Sequence, residues 1–350
     1  MDLLPSQEQQ QIVDAARHFL EGEFPLADAL HLAEGEPRIT REHLARIAEL
    51  GWMGIGLEET QGGVGYGLSE EALLFVELGR SLLPPSILCS VLGARIAAAG
   101  TAQGKAAVMD EVLGTILSGR CKIAAAVPRT STGASIGDVV SGEFMLYEAE
   151  DADFILLCDT AGAALVNRSA LTSLTPVSCI DPTLSAATFT ADSVEASAFV
   201  TTAQDDLYLR GALLCAALLL GIAEATLQRA VDYAKEREQY GKPIGSFQAI
   251  KHYCADMAVR CESLRAMLYY ASVKLAQSDD SGRFDVHTCK ALAVKYAQLN
   301  ANTAVQIHGG MGYTQEMDIH LFVKRAQVLA GLFGGERQHL RGLLAQSRPD

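Results

Sequence analysis

The chain has 350 residues and a net charge of −14, and it is 49% hydrophobic and 20% charged. That composition can bury a large core and excludes a disordered chain. The negative field argues against nucleic acid or an anionic membrane as partner, but local basic groups can still hold an anionic small molecule. Length predicts two or three domains at roughly 100–200 residues each. Eight cysteines include no Cys-x-x-Cys pair and eight histidines no His-x-x-x-His pair, so neither a zinc site nor a helical metal site is expected. Free thiols fit a reducing compartment, and the expected location is the cytoplasm. The opening MDLLPSQEQQ lacks the charged-then-apolar pattern of a signal peptide. The longest apolar run, Gly211–Ala223, is 13 residues, short of a membrane span.

In chain order, Ser6 with Gln9 forms a capping-box pattern ahead of Ile12, Val13 and Phe19, which predicts a first helix. A second covers Arg41–Leu50 and stops at Gly51. The Gly-rich loop Leu57–Gly67 follows, then a helix over Ser69–Leu82 that ends before Pro84 and Pro85. Ser86–Leu117 is Ala-rich and reads helical. Between about Ile123 and Phe199, short β-type runs such as Phe154–Cys158, Ala163–Val166 and Ala187–Phe189 predict four to seven strands. From Asp205 the chain reads helical again. Ile250, Cys254, Met257, Cys261, Leu264, Leu268, Ala271 and Leu275 alternate steps of four and three, the stripe of a helix in a left-handed bundle. Cys289, Leu292, Tyr296, Leu299, Thr303 and Gln306 continue that rhythm on another helix. The expected fold class is α+β, mainly α: an N-terminal helical domain (1–120), a small central β domain (121–203) and a C-terminal four-helix bundle (204–350). Trp52, Cys254 and Cys261 read as core, and Glu58–Glu59 with Glu70–Glu71 as a solvated face.

Two segments carry chemistry. In residues 233–258, a helix ends near Arg237, a turn holds Gly241 and Pro243, and a new helix starts near Phe247. Arg237 can fork onto a diphosphate, and Tyr240 and Phe247 offer flat apolar surfaces to a ring system. In residues 306–316, Gly309 and Gly310 let a backbone approach a ligand closely. No G-x-G-x-x-G occurs, so a dinucleotide strand–loop–helix motif is absent. His252 and His308, beside these segments, read as packing residues.

Together the segments resemble the acyl-CoA dehydrogenase family, whose pattern is met here by Arg237, Tyr240, Gly241, Ile244, Phe247 and Gln248, then by Gln306, Gly309, Gly310, Gly312 and Tyr313. Ala255–Asp256–Met257 and the stretch GWMGIGLEETQGGVG match as well. The resemblance implies FAD as cofactor, with Arg237, Tyr240, Phe247, Gln248, Gln306, Gly309, Gly310 and Gln338 binding it across a subunit interface. It implies α,β-dehydrogenation of an acyl-CoA, and an electron-transferring flavoprotein as acceptor.

The pattern also breaks. The family's carboxylate base falls at Gly334 in Leu332–Gln338, or, in branched-chain members, at Gly211; neither is acidic. Glu336 is two residues beyond, displaced by about 3 Å along a helix and onto another face. The segment Ala125–Ser131 keeps Pro128 but lacks the family's preceding Thr-Glu, and no Trp lies near Tyr147–Glu148–Ala149. These losses resemble the non-catalytic subunit of α2β2 heterotetrameric, steroid side-chain type acyl-CoA dehydrogenases, paired with a homologous subunit that supplies the Glu. Two other readings stay open: a homomeric enzyme with Glu336 as displaced base, and a non-redox structural or acyl-CoA-binding protein. Small residues Gly211, Ala212, Ala216 and Ala217 fit either a bulky acyl group or close helix packing.

Overall fold

The computed structural model describes residues 5–32, 36–101, 106–130, 133–277 and 280–346. Ser131 and residues 102–105, both within segments read above, lie outside these. In chain order the helices are α1 (Gln7–Glu23), α2 (Leu26–Ala29), α3 (Arg41–Glu49), α4 (Leu68–Arg80), α5 (Ser86–Thr101) and α6 (Ala106–Leu117). Seven strands follow: β1 (Ile123–Pro128), β2 (Val139–Tyr147), β3 (Phe154–Cys158), β4 (Gly162–Asn167), β5 (Thr175–Val177), β6 (Ala186–Glu195) and β7 (Ala198–Thr201). The last third holds α7 (Leu207–Glu236), the hairpin β8 (Glu238–Gln239) and β9 (Lys242–Pro243), then α8 (Gln248–Ala276), α9 (Asp280–His308), α10 (Ile319–Gly331) and α11 (Glu336–Ala345). The expected α+β class, with a helical start, a central sheet and C-terminal helices, is what the chain adopts.

Chain contacts divide the protein into two compact units. One comprises residues 1–31, 68–82 and 212–350; the other comprises 32–67 and 83–211. In the second unit the sheet runs β5-β6-β2-β1-β3-β4-β7. Only β1 and β3 are parallel; the other pairs are antiparallel. Phe144, Leu146, Ile155, Leu157 and Val166 centre the hydrophobic core that covers this sheet. The turn after β2 places Glu148 at φ 60°, a left-handed conformation costly for a side-chain residue. Buried partners hold it: Lys122 Nζ lies 3.8 Å from Glu148 Oε1 and 2.6 Å from Asp151 Oδ1, and the Ser86 N–H donates to Glu148 Oε2 at 3.3 Å.

In the first unit, α1 begins as its sequence dictates. The Ser6 N–H donates to Gln9 Oε1 and the Gln9 N–H to Ser6 Oγ, a reciprocal cap. Helices α4 and α7 touch backbone to backbone: a Cβ at Gly221 would lie 2.0 Å from the Val76 carbonyl oxygen. Ala212, Ala216 and Ala217 are fully buried. A line of alternating charges ties four helices. Arg17 pairs with Glu77 at 2.9 Å, Arg80 with Glu224 at 2.7 Å, and Arg265 with Glu224 at 2.6 Å, while Arg80 also reaches Glu77 at 3.6 Å.

Three sequence readings need correction. Glu71 is fully buried, and Glu70 accepts a hydrogen bond from Gln9 Nε2, so that pair is not a solvated face. The apolar run 211–223 sits inside the 30-residue α7, which is long and apolar enough to cross a membrane, but 89% of its most apolar window is buried in the protein. On α9 the buried face is Cys289, Ala293, Ala297, Ala301 and Ala304, whereas Leu292 and Tyr296 are half-buried, and Leu299 and Gln306 exposed. The cause is packing distance: alanines let α8 and α9 approach, and the larger residues turn outward.

Candidate functional site

Arg237 follows directly on the end of α7. The next six residues make a hairpin with a two-residue loop, Glu238 pairing Pro243 and Gln239 pairing Lys242. Both central residues have positive φ, Tyr240 at 54° and Gly241 at 73°, which is the signature of a type I′ turn. Glycine takes this conformation freely; a tyrosine does so under strain. The turn lifts Tyr240 clear of the chain, 93% exposed. Its ring meets Phe247 edge-on at 6.2 Å, and Lys242 Nζ lies 4.6 Å from the Phe247 ring centre. Phe247 is the N-cap residue of α8, at the place where the sequence puts the helix start, and exposed Gln248 is the first helical residue.

The second segment lies next to the first. His308 ends α9, and its imidazole stacks on Tyr233, one turn before Arg237, with centroids 4.3 Å apart and planes 21° apart. The His308 Nδ1–H donates to the Ala304 carbonyl at 2.7 Å, so this buried histidine is a joint between α7 and α9. That joint brings the Arg237 end of α7 beside the 3₁₀ segment Gly309–Tyr313. Gly309 has φ 62°, and a Cβ on it or on Gly310 would meet nothing within 4 Å. Gln306, Gly309 and Gly310 are exposed, as is Tyr313 at 78%. Among the described residues, no side-chain partner engages Arg237, Gln248 or Gln306. The end of the bundle thus offers a guanidinium and two amides without side-chain partners among the described residues, open backbone, and the edge-on pair of Tyr240 and Phe247 rings. This donor set fits a diphosphate carrying a flat ring system.

The segment Leu332–Gln338 is built differently. Phe333 has φ 52° and Gly334 φ 91°, so the chain makes two successive left-handed steps there. Gly335 caps α11, and its N–H donates to Gln338 Oε1 at 2.9 Å, which commits that side-chain oxygen to the helix start. Glu336 is exposed in the first turn of α11. Gly211 is buried within α7. Beneath the turn lies a polar cluster that no sequence motif announced. The His339 Nε2–H donates to the Phe333 carbonyl at 2.8 Å, leaving Nδ1 to accept from His287 Nδ1–H at 2.9 Å. Burial first, then the charge of Lys290, pushes the His339 imidazole down from 6.5 to about 3. Lys290 is itself fully buried, 2.9 Å from the Leu329 carbonyl near the C-terminal end of α10, where the helix dipole favours a cation.

Against known proteins, residues 204–347 match the family description "Acyl-CoA dehydrogenase, C-terminal domain" and residues 6–119 match "Acyl-CoA dehydrogenase, N-terminal domain". The chain is 34% identical over 303 residues to acyl-CoA dehydrogenase IpdE2 of Mycolicibacterium smegmatis, covering 85% of each. It is 30% identical over 319 residues to acyl-CoA dehydrogenase FadE34 of Mycobacterium tuberculosis; the match takes in 89% of this chain and 43% of that longer protein. Its fold is similar to that of a chain in the ChsE4–ChsE5 complex of Mycobacterium tuberculosis, with a TM-score of 0.82, 24% identity and full coverage of both chains. The chain belongs to the acyl-CoA dehydrogenase family, a family of flavin-dependent oxidoreductases whose cofactor is FAD.

Proposed function

We propose that this chain is the FAD-gripping subunit of a hetero-oligomeric acyl-CoA dehydrogenase, paired with a homologous subunit that supplies the carboxylate base. The observation that carries this reading is the split between two sets of residues. Arg237, Tyr240, Gln306, Gly309 and Gly310 stand open at the bundle end, while both base positions are glycines, Gly334 and Gly211.

The division of labour follows. When bound, FAD would supply the acceptor for the hydride leaving the β-carbon of an acyl-CoA. Arg237 neutralises its diphosphate, and the Gly309–Gly310 backbone and the Gln306 amide supply further hydrogen-bond donors. Tyr240, Phe247 and Gln248 shield the cofactor from water, and Gln338 contributes its remaining amide. The proton at the α-carbon goes to the partner's carboxylate, because no acid of this chain stands at either family position. Electrons then pass to an electron-transferring flavoprotein. The reading is of a cytoplasmic enzyme acting on lipid or steroid acyl groups, with an acyl-CoA as substrate.

The exposed face of α8 supports pairing. Ala249, His252, Asp256, Val259, Ser263 and Ala266 step by three and four and are all exposed, so α8 carries a second seam of mostly small residues. The ChsE4–ChsE5 complex, similar in fold, is itself built of two different chains.

The test is co-purification with a homologous acyl-CoA dehydrogenase encoded beside it, reading the flavin spectrum and the FAD:protein ratio. Alone, the chain should carry substoichiometric flavin and show no turnover; co-expression should restore both. Turnover of an acyl-CoA by the lone chain would sink the proposal. If Glu336→Gln then abolished that turnover, the homomeric reading would replace it. Absence of flavin even in the complex would favour a non-redox role.

A further inference from the structure

In the sheet-bearing unit, at the N-terminal ends of β1 and β3, lies a cavity of about 470 Å³. Its walls include Thr115 of α6, Arg120, Asp153, Phe154, Asn167 and Arg168. The chain as a whole is strongly acidic, yet the charge balance here is reversed. Asp153 is the only acidic group among the lining residues, and it is already paired: its Oδ2 accepts from Arg41 Nη1 at 2.6 Å and from the Lys122 N–H at 2.8 Å.

Among the described residues, the two lining arginines have no carboxylate partner. Arg168 donates Nε–H to the Ala149 carbonyl at 3.0 Å and an Nη1–H to the Leu171 carbonyl at 3.2 Å. Arg120 donates Nε–H to Ser118 Oγ at 3.0 Å. Every one of these acceptors is neutral, so two full positive charges remain uncompensated on one cavity. Of the five N–H groups on each guanidinium, three on Arg168 and four on Arg120 are unused among the described residues. Asn167 has spent its oxygen on the Ser169 N–H and hydroxyl, at 2.9 and 2.6 Å, and keeps its amide N–H groups. The uncommitted groups are therefore overwhelmingly donors. The carbonyls anchor Arg168 in place, so its fork is preorganised for a tetrahedral anion. The Cys121 thiol in the wall is held neutral, pushed up to about 12 by burial and then by Asp153, so it contributes no competing thiolate.

We propose that this cavity binds a phosphate-bearing small molecule, with Arg120 and Arg168 clasping the phosphate and Asn167 donating a further hydrogen bond. Its volume exceeds that of inorganic phosphate, and the half-buried Phe154 in the wall leaves an apolar surface for whatever the phosphate carries. The proposal is independent of the pairing argued above.

The experiment is calorimetric titration of the full chain with inorganic phosphate, AMP and coenzyme A, each in an Arg237→Ala background so that the flavin-diphosphate site does not contribute. Saturable binding of at least one probe is expected. Arg120→Gln leaves the carbonyl anchors of Arg168 intact and should weaken binding by about 10–100-fold, the loss expected for a charged hydrogen-bond donor. Arg168→Lys is the second variant, with far-UV circular dichroism to check its fold. If AMP and coenzyme A bind better than inorganic phosphate, the cavity reads the attached group as well. If all three bind alike, the phosphate alone is recognised. Two results overturn the proposal: no saturable heat with any probe up to about 10 mM, or binding that Arg120→Gln leaves unchanged.

Discussion

At the scale of the residue, the meaning of Gly334 lies in its backbone as much as in its missing side chain. With φ 91° it follows Phe333 at φ 52°, so the position that the family resemblance assigns to the base is a left-handed turn here. Adding a side chain there costs roughly 1–2 kcal/mol, and the carboxylate would leave a backbone conformation that L-residues rarely adopt. Gly334→Glu should therefore lower the melting temperature and give the lone chain no turnover, read by thermal denaturation and by an acyl-CoA assay with an artificial electron acceptor. Activity gained by this single change would show that only the carboxylate was missing. Arg237 is the opposite case. It is exposed and makes no side-chain hydrogen bond or ion pair among the described residues, so its removal should perturb only the FAD proposed to bind there. Arg237→Ala should leave chain stability within about 0.5 kcal/mol and weaken FAD retention in the complex by roughly 10–100-fold. Equilibrium dialysis of the flavin against both proteins reads this directly.

At the scale of the element, α9 and α11 are bonded through buried imidazoles, and that bond has a pH signature. The folded His339 stays neutral down to about 3, whereas an unfolded chain takes the proton near 6.5. Its folded pKa is depressed, so the unfolded state binds more protons throughout the window between those values. Stability is thus complete above about 6.5 and falls with acidification by up to ~1.4 kcal/mol per pH unit for this one proton. Urea midpoints at pH 7.5 and 5.5 should differ more for the native chain than for His339→Gln, and equal slopes would remove His339 as the cause. None of this was legible in the sequence. His287 and His339 lie 52 residues apart and Lys290 carries no motif, so only packing makes them a cluster. Capping and turn chemistry were legible, because Ser6 with Gln9 and Gly241 act locally. The stripe on α9 was misread because that helix is apolar on two faces. Its bulkier set, Leu292, Tyr296 and Leu299, drew the reading, yet the alanines hold the core. Likewise Arg237 and Gly309 were each readable, but the Tyr233–His308 stack that joins them was not.

At the scale of the whole molecule, the question is what covers the surfaces that the helices of the first unit leave open. Val259 is 64% exposed, and Leu299 39%, on helices that each bury one face, Met257, Cys261 and Leu264 on α8 and Ala293, Ala297 and Ala301 on α9. An isolated exposed valine needs no explanation, but Val259 sits in a stepped run with Ala249, Ser263 and Ala266, small enough for another helix to lie against. A partner subunit there would also bring its own residues to the bundle end that carries Arg237 and Tyr240. Val259→Asp separates this from a merely solvated face. Because the side chain makes no core contact, the lone chain should keep its melting temperature, with any change within about 0.5 kcal/mol. A carboxylate buried without a partner in a helix–helix seam costs several kcal/mol, so association with the homologous subunit should fall by about 100-fold or more. Sedimentation velocity of the co-expressed pair reads the association, and its flavin absorbance should fall in step. A variant that assembles and retains FAD as the native chain does would place the partner on another surface.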